Sequence, residues 1–263
     1  MTLLIGADLK HYTIIAADTR ITWHHPFLGD NHKDGDHKIA MCNFGLITGS
    51  GYVDALEPVK KELLNKEINH TGEFLEIVKG IALPKVEELL KNNPQVKDNT
   101  CFLLSYRNTD GLLRLGLIRP QWNYELGFYE DAVIVMPSDS SNEEAEKYTK
   151  ELIEKLIKFE DKEYSDADYG KNLFMNLFDN VRIIAQYFNE ISQKSVYVSR
   201  DMDFAALLSS GAVVYGYGES IKVMNGALQM SIIPATHQTR YLTPEIFKEG
   251  KNINETVKNR EDG

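Results

Sequence analysis

The chain has 263 residues, a formal net charge of −10 and a pI near 5.2. That balance argues against a surface built for nucleic acid or anionic lipid, while 43% hydrophobic residues suffice for a large buried core. Cys42 and Cys101 lie in apolar, strand-like contexts without metal-type spacing and read as small buried residues of a reducing compartment, with a disulfide between them left open.

Residues 2–9 and 11–18 have strand character and are separated by Lys10–His11, which suits a hairpin. Residues 20–37 are polar and read as a loop. Strand character returns in "KIAMCN" and "GLIT", which runs into the glycine turn "TGSG". Val53, Leu56, Val59 and Leu63 repeat at helical spacing, with Pro58 early in the pattern. A second stripe, Phe74, Leu75, Val78, Ile81 and Ala82, continues past Pro84 through Val86, Leu89 and Leu90.

Two strands, 101–106 and 111–119, flank "NTDG", and "AVIVM" makes a further one. Two clearer helices follow. One carries Ala145, Tyr148, Leu152 and Leu156 on a face; the other carries Leu173, Leu177, Val181, Ile184 and Phe188. Strands are then expected at "SVYV", "FAALL" and "AVVYGYG". No run of residues could span a bilayer and the opening lacks a signal-peptide pattern, so the expectation is a soluble, cytoplasmic chain with no membrane or nucleic-acid partner. The element order suggests an α+β fold, a four-layer αββα sandwich, in one domain over 1–236 with a charged tail at 237–263.

The second residue is a threonine. If Met1 is removed, Thr2 carries a hydroxyl and a free α-amine whose unperturbed pKa is roughly 7.7–8.0. One amino acid then supplies both nucleophile and general base. Such a pair needs a fixed cation to lower both pKa values, a carboxylate to hold the cation, and backbone N–H groups for the oxyanion. Asp18 closes the second strand, Lys38 opens the next, and Gly49 and Gly51 flank Ser50 in the turn, all at strand ends.

The stretch "TLLIGADLKHYTIIAADTRIT…HKIAMCNFGLITGSGYVDAL" resembles the opening of proteasome β-subunits and the HslV peptidase, which are N-terminal nucleophile hydrolases. The resemblance covers about the first 55 residues. It implies Thr2 as nucleophile, Lys38 as the catalytic lysine, Asp18 as its anchor, and Arg20 as the arginine of the "AADTR" motif. Gly49, Ser50 and Gly51 would cover the oxyanion turn. Ser140 matches a serine near the nucleophile. Asn189 and Ser192 match a later Asp-x-x-Ser element in which Asn stands for Asp.

The implied activity is a threonine-type endopeptidase acting on peptide or amide substrates without cofactor or metal. The implied assembly is a homo-oligomeric ring with an unfolding partner. Two alternatives remain at this level: an inactive assembly subunit of the same fold, and a hydrolase of small amides. A calcium reading of Asp30, His32, Asp34, Asp36 and His37 is weaker than that of a solvated loop over the site, because Met41 stands where a bidentate Glu belongs. His24 and His25 fall in the same polar insert.

Overall fold

Several strands lack the polar/apolar alternation of a half-exposed sheet, and such strands must be covered on both faces. The computed structural model describes residues 2–25, 29–93, 98–108, 110–160, 165–224, 227–234 and 256–257. In chain order the elements are β1 (Leu4–Asp8), β2 (Tyr12–Asp18), β3 (Ile21–His25), β4 (Gly29–Lys33), β5 (Ala40–Met41), β6 (Gly45–Ser50), α1 (Val53–Asn65) and α2 (Thr71–Asn92). Then follow β7 (Cys101–Arg107), β8 (Leu113–Ile118), β9 (Leu126–Tyr129), β10 (Ala132–Val135), α3 (Asn142–Lys155) and α4 (Asp166–Ser192). The last are β11 (Met202–Leu208), β12 (Val213–Met224), β13 (Ala227–Pro234) and β14 (Thr256–Val257).

One sheet runs β10-β1-β2-β11-β12-β13 and the other β14-β9-β8-β7-β6-β5. Leu4, Ile15, Ala17, Ala205 and Leu207 of the first sheet meet Leu46, Leu103, Leu115 and Leu117 of the second in one buried cluster. The alternate residues Leu3, Ile5, Ala7, Tyr12, Ile14 and Ala16 face the other way, against Tyr148, Leu152, Leu177 and Ile184 of α3 and α4. Phe102, Leu104 and Tyr106 do the same against Leu56, Val59 and Phe74 of α1 and α2. The result is the expected αββα sandwich, and it explains why β2 and β7 read as continuous apolar runs. Gly6 lets the two sheets approach: a Cβ there would lie 2.8 Å from Leu115 Cδ1.

Helix ends follow local chemistry. Ser141 caps α3 in a reciprocal box with Glu144, and His70 caps α2 by accepting the Glu73 N–H at 3.1 Å. Both cysteines are free and buried, and burial pushes each thiol up to about 12.

Two expectations need correcting. Part of the 20–37 "loop" is a hairpin, β3 paired with β4 from Ile21↔Lys33 to His25↔Gly29. All of β4 is exposed, so neither face leaves an apolar signature to read. "SVYV" is not a strand; it turns after α4, where the Lys194 and Ser195 N–H groups both donate to Ile191 O. Its Val198 is buried in the α3/α4 core, which supplies the apolar pattern without a ladder. β9, only four residues long, gave too little pattern to predict. Of the expected tail at 237–263, all but Thr256–Val257 lies outside the described residues; those two pair in parallel with Gly127 and Phe128.

Leu103 is fully buried between the sheets. Leu103→Ala is expected to cost about 2–5 kcal/mol in urea unfolding, and a loss below about 1 kcal/mol would mean that the inter-sheet layer is not the tight core described.

Candidate active site

β1 and β2 are adjacent and antiparallel, so the end of β2 returns beside the start of β1, with Leu4 opposite Ala17. Asp18 therefore lies next to Thr2 and Leu3. Its carboxylate accepts the Leu3 N–H at 2.7 Å on Oδ2 and the Arg20 N–H at 2.8 Å on Oδ1. Asp18 is fully buried. Burial pushes its carboxyl above the ordinary value, against the pull of Lys38 and the two backbone donors.

Lys38 follows the β4 strand of the hairpin and turns inward. Its ammonium has three protons and finds three acceptors. Nζ donates to Thr2 Oγ1 at 2.8 Å, to Asp18 Oδ1 at 3.3 Å, and to the Arg20 carbonyl. The Lys38 side chain is 7% exposed. Desolvation lowers its pKa from the usual lysine value, while Asp18 works in the opposite direction. A buried cation aimed at a hydroxyl oxygen stabilises negative charge there, and the same interaction leaves the Thr2 O–H proton free to go elsewhere.

Ser50 fixes the rest of Thr2. The Thr2 N–H donates to Ser50 Oγ at 3.0 Å, and the Ser50 hydroxyl donates to the Thr2 carbonyl at 2.8 Å. Ser50 ends β6, in the sheet opposite β1, so the site bridges both sheets at one rim. Gly51 follows at φ +120°, where a Cβ would lie 2.5 Å from Thr100 Cα; only glycine fits that turn. At Gly49 a Cβ would press on Leu56 Cδ2 at 2.7 Å and the Cys101 carbonyl at 3.0 Å.

Arg20 serves the surroundings through its side chain. Its guanidinium forks onto Asp34 at 2.7 and 2.9 Å and donates to the Val196 carbonyl at 2.7 Å. The fork holds the Asp34 carboxyl below its usual range. Asp34 is thereby committed to the arginine, Asp30 accepts from Tyr197 Oη, and His32 Nδ1 meets Thr22 Oγ1. The polar insert thus ties down the segment between β2 and β3 that carries Arg20.

Not every expected residue joins Thr2. Ser140 lines a cavity that also has Ser50 in its wall, but its own N–H closes a turn onto the Pro137 carbonyl. At the end of α4 the Ser192 hydroxyl donates to the Asn189 main-chain carbonyl at 2.9 Å. Neither has a hydrogen bond to Thr2 among the described residues; the Thr2 N–H and carbonyl bond Ser50 instead.

Two further residues escaped the sequence reading. Ser199 Oγ accepts the Thr19 N–H at 3.0 Å and steadies the residue after Asp18. Asp203, buried at the start of β11, accepts the Lys38 N–H at 3.2 Å and His37 Nδ1 at 3.0 Å. It pins the main chain from which the lysine projects. An acid inside the apolar run "MDFAALL" was the available signal, since a buried carboxylate needs partners.

Comparison with solved structures corrects the family resemblance drawn from the first 55 residues. The chain is similar to Anbu from Hyphomicrobium sp. strain MC1, at 12% identity and a TM-score of 0.53 over 89% of this chain and 88% of that one. It is similar to Anbu (ancestral beta-subunit) from Yersinia bercovieri, at 13% and 0.52 over 78% and 80%. A third match, at 11% and 0.54 over 91% and 89%, is the Anbu complex of Pseudomonas aeruginosa, described as a helical assembly. Anbu proteins share the proteasome-type fold but form a family distinct from proteasome β-subunits and HslV. "AADTR" and the glycine turn therefore did not identify the family. No protein-family profile matches the chain, and no curated protein matches it. At these identities the likeness establishes the fold. No described helix is long and apolar enough to cross a membrane.

The triple-acceptor cage gives an asymmetric expectation. Asp18→Ala leaves the Lys38 ammonium buried without its counter-charge and should cost about 3–5 kcal/mol in chemical denaturation. Asp18→Asn keeps an acceptor oxygen and should cost less. Equal losses would show that the counter-charge, not the acceptor oxygen, carries the stabilisation, and an Asp18→Asn variant without loss would show that the charge is immaterial.

Proposed function

We propose that this protein is an amide hydrolase of the threonine type, with Thr2 as nucleophile after removal of Met1. The observation that carries the reading is the 2.8 Å contact from Lys38 Nζ to Thr2 Oγ1, with the buried Asp18 carboxylate behind the ammonium. A structural ion pair needs no hydroxyl as third partner, and a resting surface threonine needs no buried cation.

In this mechanism the free Thr2 amine, held against Ser50 Oγ, accepts the hydroxyl proton directly or through one water. Oγ1 bonds to the amide carbon, and backbone N–H groups of the Gly49–Gly51 turn receive the oxyanion. As the C–N bond breaks, the leaving amine takes the proton from the Thr2 ammonium. Water, deprotonated by the same amine, then adds to the ester. The C–Oγ bond breaks and the threonine is restored. Lys38 stays protonated throughout and lowers the pKa of both Thr2 groups, Asp18 anchors it, and Arg20 contributes its carbonyl.

We read the chain as one catalytic unit over 1–236 and as a subunit of a homo-oligomer, by analogy with the helical assembly of the Pseudomonas complex. Peptides and small amides are both chemically open to this mechanism. A panel of each, assayed beside solution mass, decides between them.

The test is hydrolysis by the wild type, Thr2→Ala and Lys38→Met. Both variants should lose at least about 100-fold in kcat/KM, the scale of an activated nucleophile and its electrostatic support. Hydrolysis that persists in Thr2→Ala would overturn the reading. The pH profile carries a sign as well. The rate should rise as the amine deprotonates, near or below pH ~8. It should fall again as Lys38 loses its proton, at a pH below the ordinary lysine value of about 10.4 because desolvation lowers that pKa.

A further inference from the structure

Lys38 sits between strands. β4 ends at Lys33 and β5 begins at Ala40, so the connection 34–39 lies outside both ladders. Its main chain is tied elsewhere: the Asp36 N–H donates to the Thr19 carbonyl at 3.0 Å, and the Lys38 N–H to Asp203 Oδ2 at 3.2 Å. A buried peptide N–H needs an acceptor, but a neutral one would serve, and a carboxylate inside the apolar run of β11 is costly to desolvate. An aspartate at this place calls for a further reason.

Three donors converge on Asp203, whose side chain is 1% exposed. Besides the Lys38 N–H it receives His37 Nδ1–H, at 3.0 Å on Oδ1 and 3.2 Å on Oδ2, and the Tyr215 hydroxyl from β12. A carboxylate only accepts, so this contact assigns a proton to Nδ1. His37 itself is 61% exposed and meets the carboxylate from the solvent side. Asp203 lies near the start of β11, where the preceding Met202 pairs with Asp18 of β2. Carboxylates on neighbouring strands thus hold one lysine, Asp18 at the ammonium and Asp203 at the peptide N–H.

We propose that Asp203 and His37 are positioning residues of the threonine site: they fix the backbone of Lys38 and so hold its ammonium on Thr2 Oγ1. The proposal rests on the reading of Thr2 as nucleophile and adds two residues that the mechanism above does not use. A lysine side chain is a flexible four-carbon stem, and securing its tip alone leaves the main chain room to drift. Gripping the N–H removes that freedom, and a reacting group misplaced by about 1 Å loses about 100-fold in rate. His37 acts one step further out. Its N–H shares both carboxylate oxygens and keeps Asp203 turned toward Lys38.

The test begins with His37→Ala, at an exposed position where folding should not suffer, and adds Asp203→Ala. His37→Ala should lower kcat about tenfold with KM within about twofold, the scale of one hydrogen bond to a charged group. His37→Asn, which returns an N–H to the place of Nδ1, should recover most of the loss. The pH profile separates position from folding. If Lys38 leaves Thr2, the α-amine loses its cationic neighbour and the ammonium regains water, so the acid and alkaline limbs both move to higher pH. Asp18, Asp36 and Lys60, the charges that act on Lys38, are unchanged in these variants. Loss of the Asp203 charge alone would move both limbs down, and a smaller folded fraction would move neither.

Hydrogen exchange read by mass spectrometry needs no turnover. The fragment carrying the Lys38 amide should exchange at least about tenfold faster in His37→Ala than in wild type or His37→Asn. Limbs that stay or move down, or exchange at the wild-type rate, would overturn the proposal. Should Asp203→Ala not fold, His37→Ala alone decides. If even the wild type cleaves no amide, the nucleophile reading fails, and the exchange rates still show whether His37 and Asp203 hold Lys38.

Discussion

One buried ammonium organises this molecule's rim. Removing a lysine from water is unfavourable unless each of its protons is received, and Lys38 finds a hydroxyl, a carboxylate and a backbone carbonyl within reach. Asp18 is held in turn by two backbone N–H groups, so neither charge is left without support. The arrangement leaves Thr2 Oγ1 as the one partner of Lys38 that is neither backbone nor ion. It is the chemically adaptable atom of the cluster.

The sandwich makes that cage possible. Thr2 and Asp18 come from neighbouring strands of one sheet, Ser50 from the other, and Lys38 from the connection between them. Asp203, opening a third strand, fixes the lysine's main chain. A lysine whose ammonium has three acceptors and whose main-chain N–H is pinned by Asp203 has little freedom to reorganise, and that is the condition under which electrostatic support of a reacting group is effective. The exposed β3–β4 hairpin contributes as well: its Asp34 clamps Arg20, whose carbonyl is one of the three acceptors.

Much of this was legible in the sequence, for physical reasons that also set the limits. Thr2, Asp18, Lys38 and the Gly49–Gly51 turn sit at the ends of strongly apolar strands, so finding the strands located the rim. The αββα layering followed from the order of elements, strands alternating with helix pairs. Ser50 was named, but as part of an oxyanion turn; that its hydroxyl bridges Thr2 depends on the packing of two sheets, which no local pattern encodes. Asn189 and Ser192 were chosen as the match to an Asp-x-x-Ser element of the resembled family. At the end of α4 the Ser192 hydroxyl turns back to the Asn189 main-chain carbonyl, and the segment after it turns instead of forming a strand. Asp203 was readable in principle, as an acid in an apolar run. The family assignment went too far: the solved structures that the chain resembles are Anbu proteins.

The account stands on Thr2 as the reactive atom's owner, and mass spectrometry after treatment with a β-lactone tests that most directly. The expected result is a chain lighter by its initiator methionine that gains one acyl group, mapped to the Thr2 hydroxyl. A chain that keeps Met1 and carries no adduct at Thr2, or carries it on another residue, would contradict the account.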